Sequence, residues 1–336
     1  MRALRRFTAL GLVVAVAVAL LAPSAVAVVP AIPADIGLQA YGYVDDLTAA
    51  YPKRAAGTPE EAAAAGLVAS WFEDAGYATE LQEFPFTREG VKYSSQNVLA
   101  FRPADVKRGK GPVPLIVVGA HYDAVRAGEG ADDNASGVGA LLEVAGRVKS
   151  ARLPYDIVFV SFGAEEAGLI GSKYYVAHMG VTDRRRCIAM INFDSLIAGD
   201  HAYIHAGTNG ETWARDEMLG IIDELELPIT IQPGLNHKYP AGTTPNTFSD
   251  YTAFNQVGIP IAAFESTNWE ILGDDKGSEW NIGDYDGYTQ TEEYGSFWHT
   301  PNDTLAIIEE CFPGRSLQWL AAYTALVTEF LVRLTP

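Results

Sequence analysis

Residues 156–172 read DIVFVSFGAEEAGLIGS. The stretch opens on a continuous apolar run, which reads as a strand buried on both faces, and closes on Glu165 and Glu166 set among small residues. Adjacent carboxylates repel, and burying either one unpaired costs roughly several kcal/mol. A strand that ends this way implies a positive partner at its carboxyl end. The remaining ligands of that partner must come from elsewhere in the chain.

The same grammar repeats on both sides. LIVVGA (115–120) precedes a loop and the helical pattern ASGVGALLEVAGRVKS (135–150). IAMINF (188–193) leads through a polar loop to AYIHAG (202–207) and the helix TWARDEMLGIIDELEL (212–227). IPIAAF (259–264) follows the helix-like SDYTAFNQVG (249–258), and SLQWLAAYTALVTEFLVRL (316–334) forms a last helix. Upstream, Thr58 caps a helix with Pro59 at its first position and Glu61 completing a capping box, while Gly76 ends it. TELQEF (79–84) and NVLAF (97–101) read as strands, and KRGKG (107–111) as an exposed turn. Apolar strands alternating with helices imply an α/β fold. We expect a three-layer α/β/α sandwich with a mainly parallel mixed sheet.

The start of the chain stands outside this pattern. MRALRR is a basic segment, FTALGLVVAVAVALLA (7–22) an apolar one shorter than a membrane-spanning helix needs, and Ala25-Val26-Ala27 fits a small-x-small cleavage site. Residues 1–27 are therefore expected to be a signal peptide, and 28–336 a single domain of a secreted, monomeric protein. Cleavage removes Arg2, Arg5 and Arg6 and takes the formal charge from −18 to −21. So acidic a surface argues against nucleic acid, and against a membrane after cleavage, as partners. There are only 2 cysteines, Cys187 and Cys311. An exported chain accommodates one disulfide between them, but sequence does not show that they meet. Without a CxxC, any metal must rely on His and carboxylates.

In open parallel sheets function gathers beyond the carboxyl ends of the strands. LIVVGA runs into His121-Tyr122-Asp123, DIVFVSFGA into Glu165-Glu166, and IAMINF into Asp194. Asp132 and Asp133 lie ahead of a helix N-terminus, and His299 lies in a polar loop before TLAIIEE (304–310). Each has an ordinary explanation as cap, turn or core residue. Together those explanations need four coincidences, where a metal centre needs one cause. His178, His201, His205 and His237 lack such context and read as structural or surface residues.

In order along the chain, GAHYDAV (119–125), GADDNASG (130–137), FGAEEAGLIGS (162–172), NFDS (192–195) and WHTPNDT (298–304) resemble the motifs of metallopeptidase family 28. Its members include secreted bacterial aminopeptidases with two zinc ions. YPKRAAGTPEEAAAA (51–65) is similar to the family's opening segment. The resemblance implies that His121 and Asp194 hold one zinc, Glu166 and His299 the other, and that Asp133 bridges both. It makes Asp123 the acceptor of the second ring N–H of His121, with Asp303 in a comparable part near His299. Glu165 would be the general base acting on a water that bridges the metals. Some relatives carry Tyr just before the final His, where this chain has Trp298, which leaves the oxyanion-stabilising group open.

The main expectation is thus a zinc aminopeptidase acting on peptides or proteins with a free N-terminus. Trp269, Trp280, Tyr288 and Trp298 favour a large apolar first residue. The rivals are a carboxypeptidase or dipeptidase on the same scaffold, for which Arg126 is the one nearby cation, a glutaminyl-cyclase-like acyltransferase, and a non-catalytic binding module. In the acidic loop 273–295, Asp274, Asp275, Asp284 and Asp286 are oxygen donors able to bind calcium, although no EF-hand spacing is present and a solvated pocket rim is the favoured reading.

Overall fold

A computed structural model describes residues 32–106, 111–233, 249–272 and 288–335. The signal-like segment, most of the KRGKG turn, His237, Trp280 and the four aspartates of the acidic loop fall outside them. In chain order the elements are α1 (Leu38–Ala50), α2 (Pro59–Asp74), β1 (Thr79–Arg88), β2 (Val91–Arg102), β3 (Leu115–His121), α3 (Gly137–Val148), β4 (Asp156–Phe162), α4 (Ile170–His178) and α5 (Val181–Arg186). They continue with β5 (Cys187–Phe193), β6 (His201–Ala206), α6 (Trp213–Leu225), β7 (Ile229–Ile231), α7 (Tyr251–Gln256), β8 (Ile261–Leu272), β9 (Tyr288–Thr289), α8 (Leu305–Cys311) and α9 (Arg315–Arg333).

The sheet runs β1-β2-β4-β3-β5-β8-β6-β7, with β9 on β8. Its centre, β4-β3-β5-β8, is parallel, and antiparallel pairs flank it on both sides. The sheet is mixed and the fold α/β, as the strand pattern implies. All seven residues of β3 are buried because helices cover both faces. Ile116, Val118, Ile157 and Phe159 face one apolar cluster, shared with α2, α3 and α9. Leu115, Val117, Val160 and Phe162 face the other, shared with α4 and α7. Side chains alternate between faces along a strand, so the unbroken apolar runs fill both clusters at once. Each large apolar side chain so buried contributes roughly 1.5–3 kcal/mol.

Two features differ from the sequence reading. Helix α1 was not expected. Ala40, Val44, Leu47 and Thr48 form its buried helical stripe. The cysteines also remain free thiols. Cys187 opens β5 on the face of the α4/α7 cluster, whereas Cys311 ends α8 and packs against the other cluster. The sheet stands between them, so no disulfide forms.

Candidate metal centre

Three parallel strands end at the site. His121 is the last residue of β3, Asp194 follows β5 directly, and Glu165 and Glu166 sit in the turn after β4. Asp133 lies in the turn Ala131–Ser136 before α3, and His299 in the loop before α8. These residues converge into two triads, His121/Glu165/Asp194 and Asp133/Glu166/His299. Within each, the possible ligand atoms lie within 4.8 Å of one another.

Asp133 joins the triads. Its Oδ1 is 3.2 Å from His121 Nε2, and its Oδ2 is 3.2 Å from His299 Nε2. His121 Nε2 also faces Asp194 Oδ1 at 3.3 Å, and His299 Nε2 faces Glu166 Oε2 at 3.1 Å. Each imidazole nitrogen therefore confronts two carboxylates, the arrangement a shared cation between them would require. Glu166 Oε1 is buried with no hydrogen-bond partner, and four carboxylates crowd two imidazoles. A divalent cation relieves both faults. Imidazole and carboxylate donors without thiolate suit zinc.

The supporting contacts refine two expectations. Asp123 does not hold His121 through its carboxylate. The His121 Nδ1 partner is the Asp123 backbone carbonyl at 3.1 Å, and the carboxylate lies at 3.7 Å, too far for a hydrogen bond. Instead, Asp123 Oδ1 and Oδ2 accept the amides of Glu165 and Glu166 at 3.0 and 3.2 Å. Asp303 also accepts backbone amides. Its carboxylate accepts the amides of Asp132 at 2.7 Å and Asp133 at 3.2 Å. Asp132 turns away from the triads. Its Oδ1 accepts the amides of Ile197 and Ala198 at 2.7 and 3.0 Å, and its Oδ2 accepts Gln290 Nε2.

Two supports escaped the sequence reading. Arg54, fully buried, donates to the carbonyls of Tyr122 and Glu129 at 2.6 Å and of Gly130 at 2.7 Å, clamping the loop that presents Asp133. Burial lowers its pKa to about 10 against the pull of Asp303, Asp123 and Asp133. Glu61 accepts Gly57 N at 2.5 Å, one residue before the cap it was expected to bond, and its other oxygen takes Ser95 Oγ at 2.5 Å and Ala164 N at 3.0 Å. Gly130, at φ +64, leaves no room for a side chain: a Cβ would stand 2.4 Å from the Ala124 methyl.

Strain gathers here too. Ala164, Leu169, Ser195 and His299 all adopt positive φ, a conformation that non-glycine residues hold only where surroundings enforce it. The charges push in opposite directions. Burial raises the Glu165 carboxyl well above its ordinary range, and burial with the Asp133 charge raises Glu166 to about 7. Burial also works to raise Asp133, but hydrogen bonds from His121 and His299 overcome it and hold the group low. Burial would lower both imidazoles, yet the facing acids raise His121 well above its ordinary value and His299 to about 12.

A cavity of about 250 Å³ opens over the triads. Besides them it is lined by Asn192, Ser195, His205, Ser249, Phe264, Glu265 and Trp298, among others, with no Lys or Arg among the described residues. Arg126 is exposed and absent from this lining. Of the aromatic residues expected at the pocket, Trp298 lines it, while Trp269 turns its indole N–H to Glu265. His205, read as structural or surface, is buried in the wall.

The model of the Peptidase family M28 matches residues 104–324. The alkaline phosphatase isozyme conversion protein of Escherichia coli is 30% identical over 292 residues, covering 79% of this chain and 81% of that protein. The chain spans less than half the length of several longer curated relatives that are aminopeptidases by name. Among solved structures, BSAP, a zinc aminopeptidase from Bacillus subtilis, superposes with a TM-score of 0.69 at 18% identity over 90% of this chain and 97% of its own. A glutaminyl cyclase from Fimbriiglobus ruber shares the fold with a TM-score of 0.66 at 18% identity, covering 89% and 95%.

Proposed function

The chain belongs to peptidase family M28, and from its site we propose an aminopeptidase that takes two zinc ions and acts on peptides with a free N-terminus. Asp133 carries this reading, because one carboxylate placed 3.2 Å from each of two histidines is suited to hold a pair of ions. His121, Asp194 and Asp133 would hold one, and Glu166, His299 and Asp133 the other. Three protein ligands per ion leave a position for water or substrate. When bound, zinc supplies Lewis acidity toward the scissile carbonyl and makes water acidic near neutral pH.

The remaining work falls to the chain. With Asp133 completing both sets, Glu165 is left free to take a proton from the attacking water and return it to the leaving amine. Asp123 fixes the Glu165 and Glu166 backbone, so base and ligand keep their separation. The acidic wall welcomes a substrate amine. A substrate carboxylate would find no Lys or Arg among the described lining residues, which disfavours a carboxypeptidase. The segment 1–27 supports secretion, and we place the substrates outside the cell.

The test is hydrolysis of aminoacyl chromogenic amides by the zinc-loaded chain, beside N-acetylated copies and a chelator control. Free-amine substrates should be cut and acetylated ones spared, with activity lost to chelator. Equal rates on acetylated and free substrates would overturn the aminopeptidase reading. Release of C-terminal residues would establish a carboxypeptidase, and cyclisation of N-terminal glutamine without hydrolysis a cyclase.

A further inference from the structure

Asp132 points away from the metal triads, yet it joins the segments that carry their ligands. Its Oδ1 accepts the amides of Ile197 and Ala198 at 2.7 and 3.0 Å, in the loop that follows Asp194. Its Oδ2 takes Nε2 of Gln290, a fully buried residue just after β9. The far end of the same amide reaches the His299 loop. Gln290 Oε1 accepts the Phe297 amide at 2.7 Å and the Trp298 amide at 2.9 Å. A backbone N–H only donates, so these two bonds fix which end of the Gln290 amide is oxygen and leave its NH₂ facing Asp132. One carboxylate and one carboxamide thus connect the turn of Asp133, the loop of Asp194 and the loop of His299. The two histidines differ in how much they need such a link. His121 ends β3, which is paired on both sides, and its side chain is 1% exposed. His299 lies in a loop at φ 57, with its side chain 30% exposed.

We propose that Gln290 is a positioning residue for the metal centre: braced by Asp132, it holds His299 in place and so sets the affinity for the ion taken by Glu166, His299 and Asp133. The proposal rests on the two-zinc reading above. The two amides that Gln290 captures belong to the residues immediately before His299, so its oxygen directs the backbone that presents the imidazole. A histidine in the left-handed region holds that conformation only where its surroundings enforce it. Groups standing behind a metal ligand commonly change affinity or activity by about 10–100-fold. The other ion depends less on this brace, because His121 ends β3 and Asp194 directly follows β5, and these two central strands pair with each other. Asp132 and Gln290 are also able to exchange roles. Asp132→Asn alone sets two NH₂ groups against each other. Adding Gln290→Glu returns an acceptor opposite a donor and keeps all four backbone amides bonded.

The experiment measures zinc per chain and the affinity for each ion, by competition with a chelator, on the full chain. Gln290→Leu keeps bulk and drops all three bonds. It should weaken one ion about 10–100-fold and leave the other at the parent value. In a His299→Ala background, where that ion is already lost, Gln290→Leu should cost no further zinc. Asp132→Asn should weaken the same ion, and Asp132→Asn combined with Gln290→Glu should recover the parent affinities. A residue that merely supports the fold would lower Tm without separating the two ions. Parent-like affinities in Gln290→Leu, equal loss of both ions, or no recovery in the double variant would each overturn the proposal. Should Gln290→Leu fail to fold, the double variant decides, since it retains every bond of the brace. A parent chain that takes fewer than two zinc ions would instead bring down the two-zinc reading, and this proposal with it.

Discussion

The two ends of one sheet treat acidic residues differently. At the amino ends of β4 and β5, Arg186 Nη1 lies 2.5 Å from Asp156 Oδ2, and its Nε lies 2.7 Å from Asp183 Oδ1. Close by, Arg102 at the end of antiparallel β2 reaches Asp105 at 2.8 Å. At the carboxyl ends, Asp133, Glu165, Glu166 and Asp194 face imidazoles and one another. Arg54 lies close enough for its charge to be felt there, yet it spends its N–H groups on carbonyl oxygens. Acids matched inside the chain need nothing more, and their worth is stability. Acids gathered with no lysine or arginine partner among the described residues suit a cation supplied from outside the chain.

The contrast breaks most visibly at Asp133. Asp133→Ala should empty both metal positions together and abolish activity, since on the proposed reading one carboxylate would serve both ions. Zinc analysis of the purified variant decides this, and full retention of one ion would mean that Asp133 is not the bridge. Glu165→Gln should separate the base from the ligands. Turnover should fall on the order of 10²–10⁴-fold while zinc content stays at the parent level. A large loss of zinc in that variant would place Glu165 among the ligands, where its distance to His121 and Asp194 also permits it.

The central strands and their chemical endings were legible because each signal is local. An unbroken apolar run declares burial on both faces, and the residue that follows it sits at the sheet edge. The supports were not legible, because they join distant segments. Glu61 reaches Ala164 across 103 residues, and Arg54 reaches Gly130 across 76. Nothing near either residue announces its partner. Asp123 shows the limit most clearly: its proximity to His121 was readable, but the choice between carbonyl and carboxylate at Nδ1 depends on backbone direction.

Asp123 offers the next and smaller test. Asp123→Asn keeps the size of the side chain but replaces one amide acceptor with a donor, so the Glu165 and Glu166 amides can no longer both be satisfied. Groups that orient ligands from behind commonly affect metal affinity or activity by about 10–100-fold. The expected outcome is a zinc affinity weakened within that range, measured by competition with a chelator, in a folded protein. An unchanged affinity would show that the strained turn at Ala164 holds the two glutamates unaided.

The smallest effect should come from the opposite end of the sheet. Arg186→Met removes the charge from a guanidinium that bonds Asp156, Asp183 and the Val113 carbonyl, while the methionine stem keeps part of its packing. Arg186 and Asp156 side chains are 15% and 14% exposed, so water screens the pair only partly. Asp156 also retains a second donor, the Ala104 amide at 2.8 Å, which limits the damage. The loss should therefore be roughly 1–2 kcal/mol of stability, seen as a few degrees in Tm. Zinc content and kcat/KM measured well below the transition should match the parent, because the pair lies at the other end of β4 and β5 from the triads. A fall in zinc affinity alongside the Tm shift would show that the two ends are mechanically coupled through those strands. The division between an end built for stability and an end built for chemistry would then no longer hold.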